Sequence, residues 1–207
     1  NGALYIAEMR SYMQDENGNG TKTLRNGRIK RLEDTDGDGR MDRVTTFVKD
    51  LNLPRMILPL DDWIAGRETD TMDVIAYRYT NGDGVADEKK PLFEYGPRSR
   101  NGPNTSVEHQ DSGLVWNLDN WIYITYNMER YRFTDGTWRP QSQPGHWTQW
   151  GLTHDNAGRL FWIDNTHPLK AAQMHPKYWL TPRRLSKKLP AGDLVTLGNP
   201  YTPAFMN

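Results

Sequence analysis

Apolar and polar residues alternate in short runs along this chain, at the two-residue period of half-buried strands and not the 3.6-residue period of helices. Arg28–Leu32, Arg43–Val48, Val74–Tyr79, Pro91–Glu94 and Arg130–Phe133 each read as a strand, and no helical periodicity outlasts two turns. Alternating runs joined by tight Asp/Asn/Gly turns read as hairpins. One hairpin recurs. Gly113–Ile124 and Gly151–Trp162 register without a gap at an offset of 38 positions, Leu58–Ala65 fits the same template, and Asn1–Ile6 is the tail of a further copy. A period of roughly 40–60 residues with about four strands per repeat is the arithmetic of a β-propeller. A β-sandwich also alternates, but the gapless internal match argues for the propeller.

The pattern therefore predicts an all-β chain whose residues 1–170 form a partial β-propeller of about four blade-like repeats. Residues 171–207 read as a Pro-rich extended segment leading toward the next blade. Within it Arg183, Arg184, Lys187 and Lys188 form a basic cluster that reads as a solvated face. The opening residues look like the middle of a hairpin, so the expectation is that chain lies upstream. An unclosed ring would leave edge strands exposed, and the segment is not expected to fold alone.

Composition narrows the classes. Among 207 residues, Lys+Arg and Asp+Glu are both 26, so a formal net charge of zero gives no electrostatic reason to expect nucleic acid or an anionic membrane as partner. No apolar run approaches the eighteen residues of a membrane span, and no signal peptide is visible. Cysteine is absent, which excludes disulfides, thiolate metal sites and a covalently attached haem within this segment. The 18 glycines, 13 prolines and 8 tryptophans suit many turns around large aromatic side chains.

The strongest chemical signal is Asp34-Thr-Asp-Gly-Asp-Gly-Arg-Met-Asp42. Asp34, Asp36, Asp38 and Asp42 hold loop positions 1, 3, 5 and 9. A glycine at position 6 permits the sharp turn, and the Arg40 carbonyl supplies a further oxygen at position 7. An oxygen-only donor set favours Ca²⁺ over zinc or copper. Thr45 stands where an EF-hand would carry its twelfth-position Glu, so the loop is not an EF-hand, and its strand flanks place it at a hairpin tip. A plain Asp-Gly turn is the bland alternative, but four like charges within nine residues repel without a cation. Thr80–Asp87 repeats the pattern more weakly, with Asn81, Asp83 and Asp87 at positions 3, 5 and 9 and Tyr79 at position 1.

Several runs resemble a known family. Gly27–Arg43, Glu108-His-Gln, Leu118–Tyr123 and Gln149-Trp-Gly-Leu-Thr153 are similar to the glucose/sorbosone-dehydrogenase-like propellers of large secreted bacterial proteins, which are often fused to a haem-binding cytochrome c domain. The similarity runs from residue 1 to about 170. It implies a six-bladed ring in the full protein, a pyrroloquinoline quinone (PQQ) cofactor, and a periplasmic or extracellular location. It also implies oxidation of a sugar or other alcohol, with electrons passed to a cytochrome c domain or partner; any haem lies outside this segment. In the family the catalytic His opens a blade in a context resembling His109-Gln-Asp-Ser-Gly-Leu114, so His109 would take the hydroxyl proton, a task that suits imidazole. Trp147 and Thr148 fall where relatives place an Arg-Asn pair against the quinone. Arg67, after the hairpin Trp63–Gly66, is a further polar group of the kind propellers present to a ligand, although it and Glu68 also read as a surface ion pair.

His146, His154, His167 and His175 have no shared metal-site spacing, and His154 reads as a hydrogen-bonded core histidine. Trp63 and Trp121 recur at equivalent repeat positions, which argues for packing between blades, whereas Trp147 and Trp150 are the better stacking platforms. The competing function is a non-catalytic propeller, a binding or scaffolding module whose calcium only stiffens hairpins.

Overall fold

The structure, a computed structural model, describes residues 2–12, 14, 24–69, 71, 73–93, 110–125, 129–142, 150–163, 169–172 and 194–196. All fifteen elements among them are strands, and none is a helix long and apolar enough to cross a membrane. Two compact units divide the chain, Asn1–Gly96 and Pro97–Asn207.

In the first unit, β1 (Leu4–Glu8), β2 (Gly27–Glu33) and β3 (Arg43–Leu51) form one antiparallel sheet. A second sheet is built from β4 (Met56–Leu60), β5 (Trp63–Arg67), β6 (Val74–Arg78) and β7 (Glu88–Phe93). The second unit holds β8 (Leu114–Trp116), β9 (Ile122–Ile124), β10 (Glu129–Thr134) and β11 (Thr137–Ser142) in one sheet. Its other sheet is β12 (Trp150–His154), β13 (Leu160–Ile163), β14 (Lys170–Ala172) and β15 (Leu194–Thr196). In every sheet spatial order follows sequence order, the up-and-down meander of a propeller blade. The hairpins read from the repeat are β4/β5, β8/β9 and β12/β13.

Strand alternation decides what each sheet buries. On β2 and β3 one face carries Ile29, Arg31 and Phe47, and it meets Ile57, Ile64, Ile75 and Tyr77 of the second sheet. Phe47 is 1% exposed, with its ring edge-on to Tyr5 at 5.1 Å and to Tyr79 at 6.4 Å. A backbone hydrogen bond from Ala86 N to Phe47 O (2.8 Å) ties the two sheets directly. Arg31 is buried between them; it pairs with Glu33, donates to the Tyr79 hydroxyl (3.3 Å) and lies over the Tyr79 ring. Gly84 is also buried here, and a Cβ on it would stand 3.2 Å from the Arg31 guanidinium.

The second unit packs Tyr123 of β9 against Leu160, Trp162 and Ala172, with Trp121 and Leu152 at the margin. Trp121 thus joins two sheets, as its repeat position implies. Trp63, its counterpart, is instead covered on its own sheet by Arg78 and Lys90, at 4.4 and 3.9 Å from the ring. Arg130 on β10 is 4% exposed and fully engaged. It donates to Asp119 Oδ2 (3.0 Å), the Tyr123 hydroxyl (2.6 Å) and Gln141 Oε1, while its plane covers Trp121 at 4.2 Å. The Tyr123 hydroxyl in turn donates to Asp119, and burial raises its pKa far above the phenol range. Removing one partner of such a pair strands a buried charge. Arg130→Ala is therefore expected to cost about 3–5 kcal/mol in chemical denaturation, and combining it with Asp119→Asn should cost less than the sum of the two. Simple additivity would show that the pair is not coupled.

Candidate metal centre

The hairpin between β2 and β3 carries Asp34–Asp42 at its tip. Its shape is set by two glycines in the left-handed region, Gly37 (φ 80°) and Gly39 (φ 88°), which a side chain would strain. The turn they permit folds the backbone around the first carboxylate: Gly37 N donates to Asp34 Oδ1 (2.7 Å) and Gly39 N to Asp34 Oδ2 (2.8 Å). Those amides, that of Gly39 foremost, hold the Asp34 pKa below the usual carboxylate range. Asp36 and Asp38 accept from the amides two positions on, Asp38 N and Arg40 N. The ligand oxygens of Asp34, Asp36 and Asp38 lie within 4.8 Å of one another. Two oxygens bound to one Ca²⁺ at about 2.4 Å stand no more than about 4.8 Å apart, so this spacing fits a single ion. Each Asp34 oxygen keeps a second lone pair after its amide bond. The donors are all oxygen, the set a hard cation takes.

Asp42 lies outside that triad. Its carboxylate accepts from Thr35 N (3.0 Å) and Thr35 Oγ1 (2.6 Å), and its own amide donates to Glu33 O (2.9 Å), so it closes the base of the loop. The Thr35 hydroxyl is the main reason its pKa is lowered. Arg40 is exposed and contributes its amide to Asp38.

The second loop, between β6 and β7, is the same construction 45 positions on. Gly82 (φ 82°) and Gly84 (φ 78°) repeat the glycine geometry. Asp87 accepts from the Thr80 amide and hydroxyl (3.0 Å each to Oδ2), and its amide donates to Arg78 O (3.0 Å). Asp83 N donates to Asn81 Oδ1 and Val85 N to Asp83 Oδ1, as in the first loop. At position 1, however, Tyr79 points inward to Phe47 and Arg31. Asn81 and Asp83 keep positions 3 and 5 of the loop. The bracing threonines were not singled out from the chain, yet their signal is present: a Thr seven positions before an Asp in both loops. So is a charge-inverted pair at each base, Arg43 Nε to Glu33 at 2.7 Å and Arg78 Nε to Glu88 at 2.7 Å.

His109, Trp147 and Thr148 lie outside the described residues, as do His146, His167, His175 and the basic cluster. Arg67 is 3% exposed, and its Nε donates to Thr71 O (2.8 Å), as does Nη2. Glu68 pairs with Arg25 at 2.8 Å. His154 is half-buried with Nδ1 2.8 Å from Asp155 O. Trp150 is half-buried on β12. Of the candidate cofactor-facing residues Arg67, Trp147 and Thr148, Arg67 is the one among the described residues, and its guanidinium is buried and donates to Thr71 O.

The class defined so far is an all-β protein of up-and-down sheets with an oxygen-rich hairpin loop. The chain belongs to the family described as a domain of unknown function, DUF7133, whose model matches residues 1–198. No curated protein matches it. Among solved structures it is similar to a luciferin-regenerating enzyme (TM-score 0.47, 10% identity, 83% of this chain and 50% of that one). It is also similar to the calcium-binding protein regucalcin of Agrobacterium tumefaciens str. C58 (0.46, 17%, 93% and 56%). A chain of a nidogen/laminin complex gives 0.45 at 15% identity, over 72% and 55%. The chain spans about half the length of each.

Proposed function

We propose that this chain is a calcium-stiffened portion of a β-propeller that serves a larger exported protein as a binding module. The observation that carries the reading is the convergence of Asp34, Asp36 and Asp38 at a hairpin tip braced by Thr35 and Asp42. Asp34, Asp36 and Asp38 would hold the ion, whose role is to neutralise them and lock the β2/β3 turn. An exposed loop of this kind suits the high calcium of the periplasm or extracellular space better than that of a cytoplasm.

A second reading is an exported dehydrogenase of the quinoprotein kind, oxidising a sugar or alcohol, with His109 as base and a cytochrome c domain or partner as acceptor. Its support is local. Gln110 and Asp111, which follow His109, are fully buried polar residues, and Thr125 Oγ1 accepts from both Ser112 N (2.7 Å) and Gly113 N (2.8 Å) to fix the strand entry. Buried polar groups next to a histidine are common where a reaction centre is built. The two readings separate in one assay: dye-linked oxidation across a panel of sugars and alcohols by the intact protein in calcium, with and without added PQQ. The binding module is expected to give no turnover above buffer. Turnover that requires PQQ and disappears in His109→Ala would replace it with the enzyme.

A further inference from the structure

Behind the second loop, a cavity of about 540 Å³ opens between β3 and the β5–β7 side of the neighbouring sheet, all within the first unit. Its size falls in the range of small-molecule sites. Its apolar wall is Val48, Leu51, Tyr77 and Ala86. Tyr77 is 7% exposed; burial, reinforced by Glu68, pushes its pKa up to about 12, so the hydroxyl remains a neutral hydrogen-bond donor at any physiological pH.

The charges around this wall decide what it would take. Three of the four lining carboxylates are already satisfied by the protein. Glu68 accepts from Arg25 (2.8 Å) and Asn52 N (2.5 Å), Asp87 from Thr80, and Glu88 from Arg78 (2.7 Å). Asp50, exposed and with φ 58°, is the fourth, and it has no hydrogen-bond or ion-pair partner among the described residues. Against it stand Lys49 from β3 and Lys89 from β7, one from each sheet, likewise with no such partner among the described residues. Lys89 shares its face with Tyr77, its register partner on β6. Arg25 also has donors beyond the one given to Glu68. Two lysines thus stand without a partner against one aspartate, beside a neutral phenol and an apolar wall, while Asp87 keeps its charge because Thr80 only hydrogen-bonds to it.

We propose that this cavity binds a small organic anion, a carboxylate or phosphate held by Lys49 and Lys89 with its apolar body against Leu51 and Tyr77. The proposal does not rest on the calcium loops or on either functional reading above. Both lysines are exposed and outside the core, so their replacement leaves folding intact.

Isothermal titration of the full chain with phenyl phosphate, benzoate and the neutral benzyl alcohol tests it. One of the two anions is expected to bind at least about tenfold tighter than the alcohol, and the preferred one identifies the head group. Lys49→Gln with Lys89→Gln should cut that affinity about tenfold or more and leave thermal melting unchanged. Equal binding of the alcohol would overturn the proposal. So would the absence of saturable anion binding at about 10 mM, or anion binding indifferent to the double substitution.

Discussion

In excess calcium the protein is expected to melt on the order of 5–10 °C higher than in chelator, the shift that follows from about 2.7 kcal/mol of binding linkage at a hundredfold excess over Kd. The physical source is the crowding of Asp34, Asp36 and Asp38, whose oxygens lie within 4.8 Å of one another. Without a cation their repulsion works against the closed turn, and with one it becomes the binding energy. Asp36→Asn with Asp38→Asn isolates this term, because asparagine keeps the side-chain oxygens that accept from Asp38 N and Arg40 N. The double variant is expected to lose the calcium response and, in chelator, to melt no lower than the unaltered protein. The second half of that expectation discriminates. A variant that melts lower in chelator would show that the aspartate charges stabilise the turn without a metal. A native protein indifferent to calcium and chelator alike would remove the metal from the account.

Phe47→Ala is expected to destabilise the first unit by about 3–5 kcal/mol, read from the midpoint of urea or thermal unfolding. Phe47 sits where the two sheets meet, and its ring is held edge-on by Tyr5 and Tyr79. Truncation removes those contacts and leaves a cavity that strands, held by their ladders, collapse into poorly. Phe47→Leu keeps most of the volume and should cost about 1 kcal/mol, the remainder reflecting the lost aromatic edges. The backbone bond from Ala86 to Phe47 O survives both changes, so the difference reports side-chain packing. A cost below about 1 kcal/mol for the alanine variant would mean that the sheets are not joined through this ring.

Much of the sheet structure is legible in the alternation of residues. β2, β3, β6 and β10 begin and end within three residues of where the pattern predicts them, because one face of each must be apolar. The outer strand β7 is less legible. Its ladder starts at Glu88, three residues before the run that reads as a strand, because Glu88, Lys89 and Lys90 lie on an edge strand where charge is favoured over apolar side chains. β15 is not legible at all: Leu194–Thr196 lies in the Pro-rich stretch read as a lead to a next blade, and its pairing with β14 depends on a partner more than twenty residues away.

The metal loop divides the same way. The spacing of Asp34, Asp36 and Asp38, with glycine between them, is enough to bring three carboxylates together, since the turn is local and the glycines impose it. Asp42 reads as a fourth ligand of the same kind, and in the fold its carboxylate accepts from Thr35 N and Oγ1 at the base of the loop. Tyr79 reads as a lost carboxylate, while in the structure it is a gained core residue, turned inward to Phe47 and Arg31.

The sequence by itself determined the all-β class, the hairpin repeat and the convergence of Asp34, Asp36 and Asp38, since each follows from periods and turns spanning a few residues. Only the tertiary structure decided that Asp42 closes the base of its loop on Thr35 and that Tyr79 turns into the core. It alone also placed a cavity with two uncommitted lysines beside Tyr77. Lys49 and Lys89 stand 40 positions apart on different sheets, and no local pattern carries the packing that brings them to one wall.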